Sequence, residues 1–162
     1  MLWKFAWMNR LPGHIVVGHA AKFAVDPYDG LSASLGEINV ARIAASLHVS
    51  RKILRAATRH PDSHRQWCPD LRFCSRCMAR GYHSAVHQFD SQQRCPVHGC
   101  LLETHCHSCG ATSIYRIDAK VIGSPFRCAN CGSHYSRSPP SVSRRATLPQ
   151  QGRTAITRTF FG

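Results

Sequence analysis

Apolar residues follow a helical period in one stretch of the chain, which begins near residue 38. Their separations are mostly three and four residues, the spacing that places side chains on one face of a helix. The positions concerned are Ile38, Val40, Ile43, Ala44 and Leu47. Ser34, with Glu37 three residues later, predicts a capping box at the start of this helix.

A second helix is predicted directly after the first. Ser50 is a favourable N-cap residue. The segment behind it places three apolar residues on one side of a helix, namely Ile53, Leu54 and Ala57. Pro61 ends the pattern, because proline disfavours helical conformation in the residue before it. The sequence therefore predicts helix, short turn and helix, a candidate helix-turn-helix, within residues 38–59.

Four short cysteine motifs occupy the middle of the chain. They are Cys74-Ser-Arg-Cys77, Cys95-Pro-Val-His98, Cys106-His-Ser-Cys109 and Cys128-Ala-Asn-Cys131. A two-residue spacer lets both side chains reach one metal ion, and a following glycine permits the tight turn with positive φ. Three of the four motifs carry this glycine. Four such half-sites make two tetrahedral zinc sites.

Sequential pairing of the half-sites gives the ligand sets. The two members of a pair are separated by 17 residues in the first site and by 18 in the second, which suits zinc ribbons. The predicted sets are Cys74, Cys77, Cys95 and His98, then Cys106, Cys109, Cys128 and Cys131. An interleaved pairing of the first half-site with the third remains open. Cys68 and Cys100 fall outside the scheme as inert thiols, with Cys100 the substitute if His98 does not coordinate.

These patterns predict an α+β protein of three regions. A small helical N-terminal part covers residues 1–66, a double zinc-binding domain covers 67–135, and a disordered basic tail rich in Ser, Pro and Arg covers 136–162. Residues 112–117 are β-branched and aromatic and predict a strand within the second ribbon. Both zinc ions (Zn2+) would be structural, since protein ligands fill every coordination position.

The charge of the chain indicates its partners. Twenty-one Lys and Arg against eight Asp and Glu leave a net charge of +13, which attracts polyanions such as nucleic acid. No apolar run approaches the roughly 20 residues of a membrane-spanning helix, and Lys4 and Arg10 interrupt any export signal. We therefore expect a cytoplasmic protein without membrane contact, in which clustered reduced cysteines bind metal.

Motifs of catalytic zinc are missing from the sequence. His83 and His87 have the spacing of zinc proteases, but Ser84 stands where that motif needs its glutamate base. The His-x-Glu of zinc deaminases is also absent. With both zinc ions saturated by protein ligands, no open position remains for an activated water. The sequence predicts no catalytic residues and a protein that is not an enzyme.

The order of these motifs resembles one protein family over residues 71–110. The residues that carry the resemblance are Leu71-Arg-Phe-Cys74-Ser-Arg-Cys77-Met-Ala-Arg-Gly-Tyr82-His-Ser-Ala-Val-His87, Cys95-Pro-Val-His98-Gly, Leu101-Leu102 and Cys106-His-Ser-Cys109-Gly. This run is similar to the TniQ family of bacterial transposition proteins. The resemblance implies a non-catalytic accessory or targeting protein of DNA transposition, whose partners are a AAA+ ATPase or a CRISPR effector.

The candidate helix-turn-helix supplies candidate DNA contacts. Ser50, Arg51, Lys52 and Arg55 would face the major groove and the phosphates if the second helix reads DNA. On the alternative interpretation they form the solvated face of an ordinary helix. The predicted function is a zinc-stabilised nucleic-acid-binding accessory protein. The alternative is a zinc-knuckle adaptor between proteins without direct DNA contact, or a truncated relic of a mobile element.

Overall fold

The computed structural model describes residues 1–33, 36–58 and 66–137, with Gln151 and Thr154. Within these ranges the chain forms short helices and isolated β-bridges rather than extended strands. The helices are α1 (Leu2–Asn9), α2 (Gly13–Ala20), α3 (Val40–Ser46), α4 (Arg51–Thr58), α5 (Ser75–Met78), the 3-10 helix η1 (Ala85–Gln88) and α6 (Ala119–Gly123). The fold is mixed, with little strand. The strand expected at residues 112–117 is present only as single bridges at Thr112, Ile114 and Ile117.

The chain divides into two compact units. The helical unit consists of residues 1–60 and 115–125, and the zinc unit of residues 61–114 and 126–162. Helix α6 therefore folds with the N-terminal helices, although it lies in the sequence between the two half-sites of the second cysteine set. The predicted regions assigned residues 115–125 to the zinc-binding domain, whereas these residues pack with the helical unit.

Helices of the helical unit bury a small apolar core. Helix α2 packs against α6 and α3, α3 packs against α4, and α1 packs against α6. Trp3 anchors α1, because its buried indole donates a hydrogen bond of 2.6 Å to the carbonyl oxygen of Val121. The core residues of these helices are Trp3, Ala6, Val16, Val17, Ala20, Ile43, Ala44, Leu54, Ala119 and Ile122. None of the helices among the described residues is long and apolar enough to cross a membrane.

The first predicted helix starts later than the sequence indicated. Asn39 caps α3 by accepting a hydrogen bond of 3.0 Å from the amide of Arg42. Ile38 lies before the helix and pairs with Ala21 in an antiparallel bridge, which buries it without helical geometry. The capping box at Glu37 is therefore wrong, because Glu37 instead accepts a hydrogen bond from the amide of Ser32. Ser34 lies outside the described residues.

The turn between α3 and α4 has the predicted local features. His48 adopts a left-handed φ of 51°, a conformation that histidine tolerates better than most residues. The Ser50 hydroxyl accepts a hydrogen bond of 3.2 Å from the amide of Ile53 and so caps α4. Leu54 is buried as expected, but Ile53 is 57% exposed, so its predicted place in the core is wrong. The side chain of Ala57 and the predicted end at Arg59 lie outside the described part.

The tail predicted from residue 136 falls almost wholly outside the described residues. Its first residue, Ser136, is buried. The packed part of the zinc unit therefore continues at least one residue beyond the predicted boundary.

We expect Gly13→Ala to destabilise the helical unit by about 1–3 kcal/mol, the usual cost of overpacking. A Cβ at Gly13 would clash with the carbonyl oxygen of Ala119 and lie 2.7 Å from the amide of Gly123. Gly18→Ala in the same helix is the matched control. It meets nothing within 4 Å and should stabilise the unit by roughly 0.5–1 kcal/mol. Denaturation followed by far-ultraviolet circular dichroism measures both, and equal effects would contradict a tight α2–α6 crossing.

Candidate metal centres

Three of the four half-sites form the same small hairpin, which we call the knuckle. In each, the amide of the first cysteine donates to the carbonyl oxygen five residues later, and the glycine amide donates back to the cysteine carbonyl. The closing bonds are Cys95 to Cys100 at 2.8 Å, Cys106 to Ala111 at 2.9 Å and Cys128 to Ser133 at 2.8 Å. The glycines Gly99, Gly110 and Gly132 have φ of 66°, 72° and 74°. The glycine after each of these three half-sites therefore occupies the positive-φ turn that was predicted from the sequence.

The half-site without the adjacent glycine is built on a helix. Cys74 occupies the N-cap position of α5, and Cys77 lies within that helix. The amide of Met78 donates a hydrogen bond of 2.9 Å to the Cys74 carbonyl. One helical turn brings both sulfurs to the same side, as the glycine turn does in a knuckle. Gly81, four residues beyond Cys77, then supplies the positive φ of 62° that redirects the chain.

The first cluster has the dimensions of a tetrahedral zinc site. The Nδ1 atom of His98 lies 3.4, 3.3 and 3.6 Å from the sulfurs of Cys74, Cys77 and Cys95. The sulfurs of Cys77 and Cys95 are 3.7 Å apart. Usual Zn–S and Zn–N bond lengths give tetrahedron edges of ~3.8 Å between sulfurs and ~3.6 Å between sulfur and nitrogen. The donor set therefore fits zinc bound through Nδ1.

The second cluster consists of four thiols at similar separations. The sulfurs of Cys106 and Cys131 are 3.6 Å apart, and those of Cys109 and Cys128 are 3.7 Å apart. Cys106 and Cys128 are buried, whereas Cys109 and Cys131 are exposed. All nine cysteines of the chain are free thiols. The two four-residue groups are those of the sequential pairing, and the interleaved pairing does not occur.

Hydrogen bonds to sulfur favour the ligand form of the two exposed cysteines of the second cluster, whereas burial raises the pKa of Cys128 to about 11. The hydroxyl and then the amide of Ser133 lower the pKa of Cys131 to about 6. The amide of Ala111 lowers the pKa of Cys109. In both knuckles the donor lies two residues beyond the second cysteine. Since only the thiolate coordinates zinc, these amides prepare the exposed cysteines for metal.

Cys100 lies beside the first cluster, the site in which it was expected to replace His98 if His98 did not coordinate. Its sulfur is 3.3 Å from that of Cys74. Cys100 is outside the four-residue ligand group, as expected, although its carbonyl oxygen closes the Cys95 knuckle. Cys100 is therefore a fourth sulfur beside a complete set of four donors, which consists of three sulfurs and one nitrogen. Cys68 is not part of either group.

A buried arginine holds the segment between the half-sites of the first cluster. Arg72 is 6% exposed and donates to the carbonyl oxygens of Phe89 at 2.8 Å and Gln92 at 2.5 Å. The carbonyl of Arg72 accepts hydrogen bonds from Gln88 at 2.8 Å and from the His83 ring at 2.9 Å. Arg72 and His83 lie within the run that resembles the TniQ family, but no pattern in the sequence indicates that they are hydrogen-bonded to each other. Burying a charge this way fixes the loop that connects Cys77 to Cys95.

His83 and His87, which have the spacing of a zinc-protease motif, contact each other and lie outside the two metal clusters. His87 is fully buried in η1, with its ring edge-on to that of His83 at 5.5 Å between centroids. Phe89 packs beside Val86 and edge-on against Trp67 at 5.3 Å. Neither histidine belongs to the two clusters.

The candidate DNA contacts belong to the helical unit, whereas the metal clusters belong to the zinc unit. Arg51, Lys52 and Arg55 are exposed side chains of α4, and Ser50 is the exposed cap residue of that helix. Nothing in their geometry identifies a ligand.

The fold and the clusters define a small mixed-fold protein with two complete Cys/His metal-ligand sets. No family model, no curated protein and no solved structure matches this chain. The resemblance to the TniQ family therefore depends on the motif residues themselves.

Two matched cysteine substitutions test the ligand sets. We expect two zinc ions per purified chain, one after Cys109→Ser and still two after Cys100→Ser. The reason is that Cys109 is one of four ligands, whereas Cys100 lies beside a set that is already complete. Metal analysis by mass spectrometry gives the stoichiometry. A loss of zinc from Cys100→Ser would make Cys100 a ligand, and iron–sulfur absorption in the purified protein would replace zinc altogether.

Proposed function

We propose that this chain is a non-catalytic, nucleic-acid-binding accessory protein stabilised by two structural zinc ions, as the resemblance to the TniQ family implies. The observation that carries the proposal is the completeness of both clusters. Each has four protein donors, and the measured edges of each match a tetrahedron. Catalytic zinc sites leave one position for water or substrate, whereas structural sites are closed.

Zinc would stabilise the zinc unit in addition to its apolar burial. The core around the first cluster consists of Cys74, Cys77 and Cys95, with Tyr82, Val97, Cys100 and Leu102 packed against it. Structural zinc contributes on the order of 10–16 kcal/mol in small peptide sites. Metal binding at the two clusters would therefore add folding free energy to that of the buried aromatic residues of the same unit, which include Phe73, Phe89 and Phe126.

The charge of the chain supports nucleic acid as the partner. The net charge is +13, and α4 carries Arg51, Lys52 and Arg55 without any acidic residue of its own. Such side chains are the usual donors to phosphates, and a capped helix N-terminus such as that at Ser50 is a further phosphate contact. A AAA+ ATPase or a CRISPR effector is the protein partner that the family resemblance implies.

An adaptor function has one observation in its favour. Leu101 and Ile114 of the zinc unit are 60% and 61% exposed. Large exposed apolar side chains of this kind suit a contact with another protein, although single ones are common on protein surfaces. The salt dependence of DNA binding separates the two functions, because an adaptor without DNA contact shows none.

We expect the chain to bind double-stranded DNA, with affinity falling as salt rises. Each neutralised phosphate contributes roughly −0.9 to the slope of log K against log salt, so Arg51→Gln, Lys52→Gln and Arg55→Gln together should flatten the slope by up to about three units. Fluorescence anisotropy with a labelled duplex at several salt concentrations measures the slope.

The control for α4 is a triple variant of equal charge change. Lys4→Gln, Lys22→Gln and Lys120→Gln remove three exposed cations from the same helical unit. An equal flattening by both triples would mean that net charge, and not α4, attracts the DNA. If the unmodified chain binds no duplex even at low salt, the adaptor function replaces the DNA-binding one.

A further inference from the structure

A basic cleft lies beside the second cluster, on the zinc unit. Its volume is about 820 Å³, within the range of sites that hold small molecules. The polar residues on its walls include His107, Ser108, Arg127, Ser133, His134 and Arg137. None of the described residues that line it is an Asp or Glu, and the lining also includes Cys131, a ligand of the second cluster. The cleft is therefore large enough for a nucleotide unit and is lined by hydrogen-bond donors.

The two arginines are its principal positive charges. Arg127 and Arg137 are both exposed. His107 adds less, because its Nε2 atom lies 2.6 Å from the Glu103 carboxylate. Burial, and then the charge of Arg127, lowers the pKa of His134, so that this ring is neutral at physiological pH. The charge of the cleft is thus carried by guanidinium groups.

Arg127 retains free hydrogen-bonding capacity after its contact with the knuckle. Its Nη1 atom donates to the carbonyl oxygen of Gly132 at 3.3 Å. Arg94 makes the same bond to Gly99, at 3.0 Å, in the Cys95 knuckle. That bond therefore belongs to the knuckle and uses one of the five N–H donors of a guanidinium. Arg94 does not line the cleft, which makes it the natural control.

We propose that this cleft binds a backbone phosphate of nucleic acid, with Arg127 and Arg137 as the charged donors and the exposed Ser108 as a hydroxyl donor. The inference rests on the proposed nucleic-acid function and places a contact in the zinc unit, additional to α4. Arginine and serine are frequent phosphate donors. A wall of donors without a large apolar side chain suits a phosphate chain better than a peptide, which needs pockets for its side chains.

The test compares two double variants of the full zinc-loaded chain. Arg127→Gln with Arg137→Gln removes the two cleft charges. Arg94→Gln with Arg76→Gln removes one arginine that caps a knuckle and one exposed arginine, both outside the cleft lining. The two double variants change the net charge equally. Salt-dependent anisotropy with a labelled DNA duplex is measured for both, after metal analysis has verified two zinc ions in each.

The cleft variant should flatten the salt slope by up to about two units, as expected for two lost phosphate contacts, while the control stays near the unmodified chain. Equal slopes for both variants would overturn the cleft and leave the proposed DNA binding intact. A chain that binds no DNA before any substitution would overturn both. If the cleft variant binds the duplex as well as the unmodified chain does but no longer binds an acidic peptide, the cleft belongs to a protein partner. That result would overturn the proposal of a phosphate site.

Discussion

The requirement that four donors surround one point at bonding distance shapes the zinc unit. Tetrahedral zinc needs all four donors to lie within ~3.6–3.8 Å of one another. The chain meets this requirement by short local turns. A knuckle with a left-handed glycine does so at Cys95, Cys106 and Cys128, and the first turn of α5 does so at Cys74. The half-sites differ in the type of turn, but each turn brings two ligand atoms to the same side.

The second cluster also constrains the helical unit through the chain. Between Cys109 and Cys128 the backbone leaves the zinc unit at residue 115, contributes α6 and returns after Pro125. A metal ion at this cluster would close the loop that carries α6, and loop closure lowers the entropy of the unfolded chain. The tight α2–α6 crossing at Gly13 shows that this inserted segment is integral to the helical core. Metal binding and helix packing are therefore linked by connectivity.

Local chemistry was readable from the sequence, and nonlocal packing was not. The half-sites and their glycines were predicted because ligand identity, spacing and positive φ are fixed within six residues. The cap at Ser50 was readable for the same reason. The start of α3 was misjudged, because Ile38 is buried by a bridge to Ala21 rather than by helical periodicity. Arg72 and Cys100 have long-range partners that no pattern encodes.

Zinc loading would leave the chain strongly basic but would redistribute its charge. Seven cysteine ligands lose their protons on binding while two divalent ions are added, so the net charge of +13 falls by only three. Most of this decrease falls on one site, because four thiolates around one Zn2+ leave the second cluster with a charge of about −2. Arg127, bonded to the Cys128 knuckle, faces that local negative charge as well as any phosphate. A phosphate in the cleft must therefore be held by directed hydrogen bonds from the guanidinium groups, since the net field near the cluster is weaker than the count of arginines implies.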